Sequence, residues 1–88
     1  MRVVITVVGR DRVGIVASIS QAIAGVGANI EDLTSSRLED QFVMLVVCEV
    51  EGKEGFRRLK RAVVSAGRKI GMKVVVQREE IFKAMHRV

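Results

Sequence analysis

The sequence predicts an α+β sandwich, on the strength of three observations. Short apolar runs rich in β-branched residues, Val3–Val8, Phe42–Val50 and Met72–Val76, read as strands. Two longer stretches, Val13–Ala24 and Phe56–Ile70, repeat apolar residues at helical spacing. A stretch of small polar and β-compatible residues, 28–38, joins the first helix to the second apolar run. The order is β-α-β-β-α-β, the split βαβ or ferredoxin-like arrangement, with a four-stranded antiparallel sheet and two helices on one face. A short C-terminal helix follows.

Residues 2–8 are almost wholly apolar, as a central strand requires, and the run stops at Gly9. From Val13 a helix presents Val13, Val16, Ala17, Ile19, Ile23 and Ala24 inward, with Ser18 and Gln21 on the other face. Gly25 and Gly27 end it, because glycine accepts the positive φ of a helix C-terminus. In residues 28–38, Ile30, Leu33 and Leu38 do not share one parity, which predicts an edge strand with a bulge or bend near Leu33. Glu39-Asp40-Gln41 makes the hairpin turn. Phe42–Val50 has eight apolar residues in nine and is apolar on both faces. Residues 51–55 form the next turn, and the second helix turns Phe56, Leu59, Val63, Ala66 and Ile70 inward and Arg57, Lys60, Arg61 and Arg68 mostly outward. Gly71 stops it, and Met72, Val74 and Val76 alternate along a fourth strand. Ile81, Phe82 and Met85 mark a short packed helix. With both helices on one face, the other face has no cover within the chain. An apolar sheet face of that kind predicts a homodimer or a higher homo-oligomer.

The chain has 88 residues, which fit one domain, 1–88, with a modest core. At 49% hydrophobic and 28% charged it is globular. No apolar run reaches the ~18 residues of a membrane span, and the six residues between Arg2 and Gly9 are too few for a secretory signal. Its one cysteine, Cys48, excludes an internal disulfide and reads as a small core hydrophobe, so a cytoplasmic protein is expected. His86 has no second histidine or cysteine at ligand spacing, so neither a metal nor another cofactor is expected. The net charge of +5 raises the question of acidic partners, but three Phe with no Tyr or Trp leave few platforms for base stacking.

The chemistry concentrates where the first strand gives way to the first helix, in Gly9-Arg10-Asp11-Arg12-Val13-Gly14. Unpaired N–H groups at a helix start, backed by the positive end of the helix dipole, form a site for a carboxylate or phosphate. Asp11 has two readings, an N-cap of the helix or the partner of a positive group on the same ligand. Asn29-Ile30 completes the proposed site, although Asn after Gly-Ala is also a common turn residue. Arg10 and Arg12 either steer an anion or stand as solvated loop charges.

These residues carry a resemblance. Gly9-Arg10-Asp11-Arg12-Val13-Gly14-Ile15-Val16 followed by Gly27-Ala28-Asn29-Ile30 resembles the ACT domain, a small regulatory βαββαβ module, over essentially the whole chain. Asn29-Ile30-Glu31-Asp32 and Ile81-Phe82-Lys83-Ala84-Met85 are similar to one group of stand-alone prokaryotic ACT proteins, to which the two-domain glycine-cleavage regulator is related. The resemblance implies an amino acid bound at a dimer interface. Gly9, Asp11 and Gly14 take the ligand-loop positions, and Asn29 takes the position that closes over the ligand from the neighbouring subunit. The N–H groups of residues 12–14 then meet the ligand carboxylate, while Asp11 and Asn29 meet its ammonium. Val13 stands where many members carry proline, so the helix start is not preset. The resemblance equally admits a ligand-free dimerisation module, and in either case the output passes to a partner protein.

Two rivals share the βαββαβ order. An acylphosphatase carries Gly-Val-x-Phe-Arg after its loop glycine, where this chain has Gly14-Ile15-Val16-Ala17, so no enzyme is expected. An RNA-recognition domain stacks bases on aromatics of its first and third strands. Val3–Val8 has none and the third strand has only Phe42, so no specific nucleic-acid partner is expected.

Overall fold

The computed structural model describes residues 1–86. Seven elements follow in order: β1 (Arg2–Arg10), α1 (Ile15–Gly25), β2 (Asn29–Leu38), β3 (Gln41–Glu49), α2 (Gly52–Lys69), β4 (Lys73–Arg78) and α3 (Glu79–Met85). The four strands form one antiparallel sheet in the order β2-β3-β1-β4, the predicted ferredoxin-like sandwich.

The core follows from the pleat. Alternate residues of β1, Val3, Ile5 and Val7, lie opposite Cys48, Val46 and Met44 of β3, and all six are buried beneath α1 and α2. Helix α2 adds Leu59 and Val63, and α1 adds Ile15, Ile19 and Ile23. The inward face of α1 is rotated from the predicted one: Val16 is 42% exposed, and Ala17 and Ala24 also face solvent. The helix is apolar almost all round, so periodicity alone did not fix which stripe packs. Burying the three isoleucines at i, i+4, i+8 removes more apolar surface than burying valine and alanines. Val13 falls outside the helix altogether and is 98% exposed.

Other boundaries also move. β1 continues two residues past Val8, because Gly9 and Arg10 keep their ladder partners Phe42 and Gln41. The bulge of β2 lies between Ile30 and Asp32, ahead of Leu33. Residues 52–55, expected as turn, already belong to α2. The second sheet face is not bare: α3 folds back across it, setting Phe82 beside Val4, Leu45 and Val47, so that Val4 is 4% exposed. Ile81 and Met85 do not join that packing and remain exposed. Arg2 holds α3 in place, its Nε 2.9 Å from a Glu79 carboxylate oxygen and its Nη1 paired with Glu31 of β2. Val43 and Val75 stay open beyond the reach of α3.

Candidate functional site

The β1–α1 loop is shaped by its two glycines, each for a different reason. Gly9 lies inside the sheet, and a Cβ there would stand 2.7 Å from the Met72 sulfur, so it lets β1 pass the entry to β4. Gly14 is the N-cap of α1 with φ of 89°, a left-handed conformation that L side chains rarely adopt. Its carbonyl accepts the first intrahelical bond, from the Ser18 N–H at 2.9 Å. The unpaired first turn therefore presents the N–H groups of Ile15, Val16 and Ala17, and not those of residues 12–14 expected from the sequence, because the helix starts after Gly14 and not at Val13; no side chain caps them.

Asp11 is not the cap. Its backbone N–H donates to the Asp40 carbonyl at 2.7 Å, and its carboxylate lies 3.4 Å from Nε of Arg37. Arg10 faces Asp40 across 3.8 Å. These contacts draw the loop over the β2–β3 hairpin to the edge of the sheet. Arg12 ties the other side of the loop down, with Nη1 donating to the Ile70 carbonyl just past α2 at 3.1 Å. Lysine and arginine commonly satisfy the last carbonyls of a helix in this way. Arg37, the partner of Asp11, was not singled out in the sequence, because hairpin register and not spacing brings the two together. Leu38 beside it is 77% exposed.

The candidate residues fall into two groups that one chain does not unite. Gly9, Arg10, Asp11, Arg12, Val13 and Gly14 lie at one end of the sheet. Asn29 lies at the other, opposite Glu49, with Ile30 next to it opposite Cys48. Gly9 is level with Phe42 and Asn29 with Glu49, so seven strand rises along β3 separate the groups, roughly 24 Å.

Cys48 and His86, the remaining nucleophilic or metal-ligating side chains of note among the described residues, lie apart from the loop. Cys48 is buried, and burial pushes its thiol up to about 11, which keeps it protonated. The His86 ring stacks on Phe82 with centroids 4.2 Å apart. Among the described residues no three His, Cys, Asp or Glu side chains gather to hold a metal. Among them too, no helix is long and apolar enough to cross a membrane.

Comparison with known proteins agrees with this architecture. A family model described as the ACT domain matches residues 1–77. A UPF0237 protein of Methanocaldococcus jannaschii is 42% identical over 88 residues, covering 99% of this chain and 98% of its own length. The solved structure of an ACT domain protein from Streptococcus pneumoniae superposes with a TM-score of 0.80 at 37% identity, covering 98% of each chain. A structure described as a putative glycine cleavage system transcriptional repressor shares the fold at 22% identity and a TM-score of 0.78, over 86% of this chain and 44% of that one. On sequence and fold together, this chain belongs to the ACT domain family.

Proposed function

We propose that this protein is a regulatory module that binds an amino acid or a similar small carboxylate between two copies of itself and passes the signal to a partner protein. The observation that carries the reading is the position of Asp11. Its ion pair with Arg37 sets the loop at the outer edge of β2, a strand with one neighbour in the sheet and almost no buried residue. An antiparallel pairing of two β2 edges is self-complementary about a two-fold axis. It carries the partner's Asn29 and Ile30, at the start of β2, toward Arg37 and Leu38 at its end. The free N–H groups of the α1 first turn then take the ligand carboxylate. Asp11 and the second copy's Asn29 take its ammonium, and exposed Val13 and Ile30 offer apolar contact to its side chain. Gly9 and Gly14 shape the loop, while Arg10 and Arg12 anchor it.

The module does no chemistry of its own in this reading, and its buried free thiol suits a reducing, cytoplasmic setting. A second reading, a dimerisation module without a ligand, draws on the same ion pair: Arg37 already answers the Asp11 carboxylate. Thermal unfolding against the twenty amino acids and small carboxylates separates the two. A ligand at 100 times its Kd adds about 2.7 kcal/mol, a shift of several degrees in a domain of this size. The sensor reading expects a selective shift that Asn29→Ala and Asp11→Ala both abolish without unfolding the protein. A flat panel leaves the assembly reading.

A further inference from the structure

The charge of this molecule is concentrated on one helix. α2 carries seven of the fifteen Lys and Arg residues and one of the ten acidic ones, a helix charge of +6 against +5 for the whole chain. Arg57, Lys60, Arg61 and Arg68 project from one face over 12 residues, about 16 Å of helix. Of these four, Arg57 alone has an acidic partner among the described residues, Glu54 at 3.4 Å. The four cations rim a shallow hollow of about 410 Å³ whose floor is Val64, a half-buried residue packed against the core. Their aliphatic stems extend that apolar floor while the charged heads stay wet.

We infer that the outer face of α2 is the docking surface for an acidic, amphipathic segment of a partner protein, with carboxylates on the rim and an apolar side chain on Val64. The inference rests on the proposed function only in supposing a partner at all. Charge complementarity alone would admit a nucleic acid, but two features favour protein. A phosphate backbone has no apolar group to set on Val64, and the one phenylalanine that borders this face, half-buried Phe56 beside Arg57 and Lys60, offers no row of aromatics on which successive bases could stack. The position also suits an output surface. α2 packs on α1 and β4, far from the β2 edge and across the sheet from α3, so it stays accessible when two copies pair through β2.

The test measures binding of three labelled probes to the full chain by fluorescence anisotropy, at low and moderate salt. One is a helical peptide with glutamates at i, i+3, i+4 and i+7 around a central leucine. The second is the same peptide with that leucine replaced by serine, and the third is a twenty-base-pair DNA duplex. The leucine peptide is expected to bind most tightly. Arg61→Glu/Arg68→Glu should weaken it at least tenfold, and the charge-matched Lys73→Glu/Lys83→Glu by less than twofold. The milder Arg61→Gln/Arg68→Gln should fall between them, and melting curves confirm the fold of each variant. These variants keep the loop and Asn29, so any response to amino acids survives in them, which separates failure here from failure of the ligand site. Equal binding of both peptides, equal loss in both charge-reversed variants, or tighter binding of the duplex would overturn the assignment.

Discussion

Asp11 is held at two points, its N–H on the Asp40 carbonyl and its carboxylate beside Arg37, so the loop keeps one shape at the sheet edge. The ion pair is partly exposed, and such pairs contribute at most about 1 kcal/mol. Arg37→Ala should therefore shift thermal stability little yet change any ligand affinity, since it frees the carboxylate proposed to meet the ligand ammonium. The two loop glycines are more costly to replace. Gly9→Ala drives a methyl to 2.7 Å from the Met72 sulfur, so the flexible end of that buried side chain must swing aside, at a cost of about 1 kcal/mol, the low end for overpacking. Gly14→Ala puts a side chain at φ of 89° and should cost about 1–2 kcal/mol, although its Cβ would meet nothing within 4 Å. Urea titrations of both variants check this, and an unchanged midpoint for Gly9→Ala would contradict the packing role. Cys48, buried and with its thiol pushed up to about 11, should resist a disulfide reagent at pH 8 until the protein unfolds. The loop motif was legible in the sequence because glycine, aspartate and the helix start are all local signals. The partner of Asp11 was not, because a hairpin register of β2 on β3 selects Arg37.

At the scale of elements, α3 is fastened to the sheet by one arginine. Arg2 donates to Glu79 at 2.9 Å and also pairs with Glu31, and its bond to Glu79 holds that carboxyl below the usual carboxylate range. A carboxyl lowered in the folded state stabilises it at all pH above its unfolded value, and the contribution disappears as pH falls through the lowered value. The protection factors of amides 79–85, which allow for the slower intrinsic exchange at low pH, should thus fall in acid before those of the core, and Arg2→Ala should bring the same fall at neutral pH. Phe82→Ala removes the ring over Val4 and should cost about 1–2 kcal/mol, less than a fully buried phenylalanine. The strands were readable because their apolar runs are short, β-branched and punctuated by glycine. Two features were not. The buried stripe of α1 is set by which side meets α2 and the sheet, and the start of α2 at Gly52 is set by packing of its first turn, since Gly52, Lys53 and Gly55 mark a loop in isolation. That α3 lies over the open face depends on the Arg2 contacts, which join residues 77 positions apart.

At the scale of the whole molecule, one sheet separates three surfaces with different prospects. The helix layer shows its basic face to solvent, the opposite face is half covered by α3, and the β2 edge is unpaired. The central claim is that the loop of one copy and Asn29 of another make one site, because roughly 24 Å of sheet divides them within a chain. Subunit mixing tests this most directly, with the ligand found by the unfolding panel and its stoichiometry measured by calorimetry. Asp11→Ala and Asn29→Ala should each abolish binding when alone. Mixed in equal amounts and allowed to exchange, half the dimers pair one of each variant, and each such dimer regains one intact site, so about a quarter of the wild-type sites should return. Mixing that restores no binding, with heterodimers demonstrated, would place both residues' effects within a single chain and contradict the shared site.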